Sequence, residues 1–274
     1  MAIFGRKAIF INGHDVSSIE KTGANIAELL LKAIDYVRPS NVVQVMTDNV
    51  SNYKAAGAII QRKHAHIFWS GYMAHTLNLL IKDIAKSEDS LLSFVDKSYE
   101  KRKYQDYLSD DLAIDDLVQQ FVVARWDKMN ISLHCLGYVL VSKYYTNYRL
   151  SQPTPGGVSR KKPYFDKEVQ TGYLQSIEKI VVDQNKASLI RHQINDFVSN
   201  KVVFAQPSAV KDRAIMITLS WWHMYGGAAP ELFSLSVKVL SQSVNTSCAK
   251  KCWSTYSYIH NLKKNKLNVD ELKN

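Results

Sequence analysis

The spacing of apolar residues at the start of the chain predicts a strand followed by a helix. Residues 8–13 form a short apolar run that ends in the turn-forming pair Asn12-Gly13, which is typical of a strand. Ser17 and Ser18 follow, and either hydroxyl can cap the first turn of a helix. We expect this helix to end before Pro39, because proline cannot continue the helical hydrogen bonding. Its apolar stripe has three- and four-residue spacing and comprises Ile26, Leu29, Leu30, Ala33, Ile34 and Val37.

The next apolar segments repeat this order of strand and helix. Residues 41–46 are short, apolar and β-branched without clean alternation, which favours a parallel strand covered on both faces. A helix is predicted over residues 51–63, a strand over 66–69 and a helix over 73–86. Residues 1–86 therefore read as an α/β unit. The residues predicted to face inward from the helix over 51–63 are Ala55, Ala56, Ile59 and Ile60.

Beyond residue 86 the pattern changes to helices joined by polar connections. Residues 152–157 are rich in proline and glycine and predict a loop. Residues 168–200 have helical patterning with charged faces, and Pro230 stands at a favourable first position of a helix. The apolar stripe of this last helix comprises Leu232, Leu235, Ser236, Val239 and Leu240.

Composition and charge narrow the classes of function. There are 35 Lys and Arg against 25 Asp and Glu, so the formal charge of +10 favours polyanionic partners such as nucleic acid. The sequence has no uncharged apolar run of membrane-spanning length, and we expect no membrane partner. Cys135, Cys248 and Cys252 make no disulfide framework. Cys248 and Cys252 are one helical turn apart and could share a metal, although ordinary helical positions are the favoured interpretation.

Five short blocks carry a family resemblance. They are residues 43–53 with Thr47-Asp48-Asn49, residues 67–79 with His75, the pair Arg125-Trp126, the segment from Trp221-Trp222 to Leu240, and the segment around Trp253. Their order resembles that of the hAT superfamily of DNA transposases, especially its plant-type members. The resemblance implies an α/β fold with an incomplete RNase H-like mixed sheet, an inserted helical region and a C-terminal helical dimerisation segment. The implied units are a partial core over 1–125, a reduced helical insertion over 126–215 and a dimerisation region over 216–274.

The same resemblance bears on catalysis. It gives Asp48 the second place in an Asp-Asp-Glu triad that holds two divalent cations, usually Mg²⁺, for DNA strand transfer. It places the first carboxylate upstream of residues 8–11, and this sequence begins after that point. The third carboxylate is replaced by Lys250, whose positive charge would oppose metal binding. We therefore expect an inactive relative with no functional metal site and no cofactor.

The resemblance also suggests partners. His75, Arg125 and Trp126 occupy positions of inherited DNA contacts; the alternatives are a locally bonded histidine and a buried tryptophan beside a surface arginine. We expect a nuclear protein that associates with itself or with related hAT proteins. DNA binding would be sequence-independent, because the family's BED-type zinc finger is not found. The residues predicted for dimerisation, with core packing as the alternative, are Trp221, Trp222, Tyr225, Leu232, Leu240 and Trp253.

Two other functions stay open. An active metal-dependent DNA strand transferase or nuclease would use Mg²⁺ and would need the two missing carboxylates. A decayed transposon fragment would have no selected function, and the shortened helical insertion favours that interpretation.

Overall fold

The computed structural model describes residues 2–4, 7–11, 19–72, 130–152 and 159–242. Over these residues the fold is mixed α/β and mostly helical, with two separate two-stranded sheets. One sheet is an antiparallel hairpin and the other is a parallel pair. An RNase H-like sheet would contain more strands than either of these two sheets, and it stays a prediction.

The hairpin is formed by β1 (Ala2–Phe4) and β2 (Lys7–Ile9). Its register pairs Ala2 with Ile9 and Phe4 with Lys7. The predicted strand over residues 8–13 is thus correct in type but wrong in extent, since it begins earlier and ends at Ile9. In the described residues this strand pairs with β1.

Helix α1 spans Gly23–Val37 and begins later than predicted. Its N-cap is Thr22, whose side-chain oxygen accepts a hydrogen bond from the Asn25 amide at 3.2 Å. Ser17 and Ser18 lie outside the described residues, and the cap prediction at those positions is wrong because the helix starts at Gly23. The predicted end is confirmed: Arg38 leaves the helix with a φ of 68°, and Pro39 opens a 3₁₀ turn, Pro39–Asn41.

The parallel sheet joins β3 (Gln44–Thr47) to β4 (Phe68–Gly71), with α2 (Ser51–Lys63) between them. The parallel pairing and the bounds of α2 are confirmed. Both strands begin later than the predicted segments over 41–46 and 66–69, because the turns before them use their backbone groups locally. The register pairs Gln44 with Phe68 and Thr47 with Gly71.

Both faces of the sheet are covered. Ile67 packs with Ile34 and Ile60 in a small cluster under α1 and α2, whereas Phe68 belongs to the large core on the opposite face. The prediction of a covered parallel strand is therefore confirmed. One detail is wrong: Ala55 is exposed. Gly57 is buried instead, because α2 packs there against the indole ring of Trp69.

The rest of the described chain is helical, as predicted. Within residues 168–200 the helix breaks at Asp183, whose carboxylate caps the helix Gln184–Val198 by accepting from the Asn185 and Lys186 amides. The prediction that Pro230 opens a helix is confirmed. The helices are α3 (Ser132–Leu140), α4 (Asn147–Ser151), α5 (Lys167–Ile180), α6 (Gln184–Val198), α7 (Pro207–Ile215), α8 (Thr218–Tyr225) and α9 (Pro230–Leu240), with 3₁₀ turns at Ser142–Tyr145, Pro163–Phe165, Val202–Ala205 and Gly226–Ala228.

A single large core connects the helices to the sheet. Its centre is aromatic: Phe197 lies 4.8 Å from Trp222 and 5.6 Å from Trp221 between ring centroids. Val43 and Phe68, beside and within the sheet, belong to the same cluster. Helices on both sides of residue 215 thus share one core, and the predicted boundaries at 125 and 215 stay predictions.

Candidate functional site

Asp48 lies directly after β3, at the carboxyl end of the parallel sheet, and is exposed to solvent. Its backbone is positioned by a short chain of hydrogen bonds. The Trp69 indole Nε1 donates to Thr47 Oγ1 at 2.9 Å, and the Thr47 hydroxyl donates to the Asp48 carbonyl oxygen at 3.1 Å. Thr47 is buried, so this hydroxyl is fully used by its two neighbours. The motif therefore stands at the edge where α/β sheets bind their ligands.

Asn49 lies across this edge against the neighbouring strand. A Cβ built on Gly71 would fall 2.7 Å from the Asn49 side-chain Cγ, so a larger residue at position 71 would displace the Asn49 amide. Thr47 and Asn49 thus contact residues of the neighbouring strand β4, whereas the carboxylate of Asp48 is exposed and accessible to a ligand.

A pocket of about 530 Å³ opens beside the same sheet, between the strands and helices α3 and α9. On the sheet side the Gln44 amide donates to Ser70 Oγ at 2.7 Å. On the helix side the Asn130 amide nitrogen donates to Glu168 Oε1. Asp48 is not among the lining residues.

Burial favours the neutral forms of two side chains that line this pocket, His134 and Cys135. Burial lowers the pKa of His134 and, with Glu168 nearby, raises the pKa of the Cys135 thiol. Near neutral pH the pocket therefore presents an imidazole and a thiol without charge, and a thiolate nucleophile is disfavoured. Over the described ranges no three His, Cys, Asp or Glu residues come together as a metal-holding group.

Five of the residues predicted for dimerisation lie in or against the core of the chain. Trp221, Trp222 and Leu232 are each 0% exposed, whereas Tyr225 and Leu240 are half-buried. The Trp221 indole donates to the Ala209 carbonyl oxygen at 2.9 Å. Tyr225 Oη donates to Asp212 Oδ2 at 2.6 Å. The buried three pack within one chain, and their part in a dimer stays a prediction.

Arg213 is an unexpected member of that core, at 1% exposed. Its Nη2 donates to the Phe197 carbonyl oxygen at 2.8 Å, and its guanidinium carbon lies 4.6 Å from the Phe197 ring centroid and 5.0 Å from that of Trp221. Burial lowers its pKa to about 10. The aromatic faces provide the electrostatic partner that a carboxylate usually supplies.

Five of the predicted site residues lie outside the described residues. His75, Arg125, Trp126, Lys250 and Trp253 therefore keep only the interpretation that the sequence gives them.

The sequence reasoning missed the residues of the pocket. Asn130 and His134 precede the predicted loop over 152–157, whereas Glu168 follows it, so no fixed spacing links them. It also passed over the run Arg62-Lys63-His64, although a basic run at a helix end can be read directly from the sequence.

Part of the chain matches the model of a known family. Residues 2–103 match the family described as a domain of unknown function, DUF659, a stretch that includes β1 to β4 and the Thr-Asp-Asn motif. No curated protein and no solved structure matches the chain. In the described part of the chain, every helix is too short or too polar to cross a membrane.

Proposed function

We propose that this chain is a transposase-derived protein that associates with itself and binds DNA without cutting it. The observation that carries the proposal is the position of Asp48. The resemblance to hAT transposases requires this residue at the carboxyl end of a parallel strand, and it stands directly after β3. The DUF659 match covers the same segment and is compatible with a transposase-related origin.

The charge at the third carboxylate position opposes catalysis. A two-metal mechanism needs several carboxylates around the cations. In the motif order of the family the third carboxylate position holds Lys250, followed by Lys251. An ammonium group there would repel divalent cations as well as fail to bind them.

Self-association is supported by the outer surface of α7 and α8. Ile215, Ile217 and Met224 are 71, 60 and 66% exposed. Ile217 is the residue directly before α8, and Met224 lies in the last turn of that helix. Exposed apolar side chains at both ends of one short helix favour a protein interface, and the buried Trp221 and Trp222 would make its base rigid.

Light scattering on the purified chain tests self-association. We expect a dimer that the double variant Ile217→Lys/Met224→Lys converts to a monomer. Val182 is 84% exposed on a different connection, so Val182→Lys is the control and should leave the dimer intact. A wild-type monomer would refute this part of the proposal.

Fluorescence anisotropy with a labelled DNA duplex tests the other part. We expect binding in the presence of EDTA, with an affinity that falls steeply as salt rises. Mg²⁺ should weaken binding to the same extent in the wild type and in Asp48→Asn, because it acts only by screening phosphate. Binding that appears with Mg²⁺ and is lost in Asp48→Asn would favour the active strand transferase, and no binding in either buffer would leave self-association as the only proposed function.

A further inference from the structure

The amino-terminal edge of the parallel sheet lies opposite the edge that carries Asp48. Two turns form this edge, the one that leads into β3 and the one that leads into β4. They are joined by His66, whose Nε2 donates to the Pro39 carbonyl oxygen at 2.9 Å. Because strands and helices alternate in direction, α1 and α2 end here.

Basic side chains from four helices meet at this edge. Arg38 follows α1, and Arg62 and Lys63 lie in the last turn of α2. Lys238 of α9 reaches across, with its Nζ 3.2 Å from the Ser40 carbonyl oxygen. Lys179 of α5 lies over the Phe68 ring, with its Nζ 4.3 Å from the centroid. We call these five residues the amino-edge face: Arg38, Arg62, Lys63, Lys179 and Lys238.

These cations are not neutralised by ion pairs. In the part of the chain that the structure describes, none of the five makes an ion pair with a carboxylate. The nearest acidic residues in sequence, Asp35 and Glu178, are exposed and make no ion pair with the face. An excess of positive charge without carboxylate partners favours binding of a polyanion.

Part of this arrangement has a simpler cause. Arg62, Lys63, Lys179 and Lys238 lie in the last turns of their helices, where a cation is stabilised by the helix dipole. That cause explains why lysine and arginine are tolerated there. It does not explain Arg38, which lies beyond the end of α1.

Arg38 is held in a backbone conformation that disfavours it. Its φ is 68° and its ψ is 124°, and a positive φ of this kind is adopted far more readily by glycine than by arginine. A side chain with a Cβ at such a φ destabilises the fold. The Arg38 side chain is exposed. Among the described residues it has no ion-pair partner that would offset the unfavourable backbone conformation.

We propose that the amino-edge face binds the phosphate backbone of duplex DNA, with Arg38 as a central contact. This inference rests on the proposed function, and it places the DNA on the edge of the sheet opposite Asp48. Lys179 and Lys238 are already held by Phe68 and Ser40, so less conformational freedom is lost when phosphate binds. Backbone contacts of this kind give affinity without sequence specificity.

Two substitutions in the full chain separate this function from a structural role. Arg38→Gly should raise the melting temperature, because it relieves the positive φ, and should weaken duplex binding about fivefold. Asn200→Gly is the control, since Asn200 is exposed with a φ of 51° and no charge, and it should leave binding unchanged. Arg38→Gly with wild-type affinity would overturn the proposal.

The double variant Arg62→Gln/Lys63→Gln should reduce the slope of log Kd against log salt by about 2, one for each lost phosphate contact. Lys161→Gln/Lys162→Gln removes the same charge elsewhere on the chain and should change the slope much less. An equal reduction of the slope in both double variants would mean that DNA is attracted by the overall charge of the chain and not by this face. That result would overturn the proposal, although the chain would still bind DNA. Failure of the wild type to bind duplex would refute the proposed function as well.

A membrane is the other polyanionic surface, and sedimentation with vesicles containing phosphatidylserine distinguishes it. We expect the wild type to bind duplex more tightly than these vesicles at equal salt. Tighter binding to the vesicles, lost in Arg38→Gly, would overturn the assignment to DNA.

Discussion

The indole Nε1 of Trp222 donates a hydrogen bond to the backbone carbonyl oxygen of Leu140 at 2.9 Å, across 82 positions of sequence. Leu140 is the last residue of α3, so its carbonyl has no partner within its own helix. Trp222 of α8 therefore caps the C-terminal end of α3, and this hydrogen bond connects α8 to a helix that lies beside the parallel sheet.

Trp222→Phe should lower the free energy of unfolding by about 2–3 kcal/mol, because it leaves a buried carbonyl unpaired and opens a small cavity. Chemical denaturation measures the change. Tyr148→Phe is the control, at a ring that is 74% exposed, and should change the value by less than about 0.5 kcal/mol. A loss of similar size in both variants would contradict the capping role.

Two helical glycines should respond to alanine in opposite directions. A Cβ at Gly57 would fall 2.3 Å from the Trp69 ring, whereas one at Gly137 would lie 3.8 Å from Val239. Gly57→Ala should therefore destabilise the fold by about 1–3 kcal/mol. Gly137→Ala should stabilise it by about 0.5–1 kcal/mol, because alanine is the better helix former. Thermal melts of the two variants check this, and a stabilising Gly57→Ala would refute the packing of Trp69 against α2.

The packing at Gly57 also shows how far the sequence predicts this fold. Pro39 and Pro230 marked a helix end and a helix start correctly, because proline acts through covalent geometry that context cannot change. The apolar pattern predicts Ala55 inside and gives no position to Gly57, because a hydrophobicity pattern gives glycine no weight. The size of Trp69, from another element, decides which side of α2 is buried.

The candidate site was predictable only where it is local in sequence. The Thr-Asp-Asn motif follows its own strand, so its place at the sheet edge could be derived from the pattern alone. Arg213 could not be predicted, since burying an arginine depends on Tyr145, Phe197 and Trp221, which come from three different parts of the chain.

Acidification should destabilise the protein through His134. Burial lowers the folded-state pKa of this imidazole, while the unfolded chain binds a proton near about 6.5. Between these two values the unfolded state holds more protons than the folded state. The contribution of His134 to stability is therefore complete above about pH 6.5 and is lost as pH falls through the folded-state pKa.

His134→Gln should accordingly flatten the fall in unfolding free energy between about pH 7.5 and about pH 5. Denaturation curves at both pH values measure it. His192 is exposed on α6, so His192→Gln is the matched control. A wild-type pH dependence in His134→Gln would show that other groups cause the acid sensitivity.

The central claim is DNA binding without catalysis, and a strand-cleavage assay tests it most directly. The wild type and Asp48→Asn would be incubated with labelled duplex and hairpin DNA in EDTA, in Mg²⁺ and in Mn²⁺, at protein concentrations that saturate binding. We predict that the DNA stays bound and uncut in every condition. Cutting by the wild type that requires the metal ion and is abolished in Asp48→Asn would contradict the account.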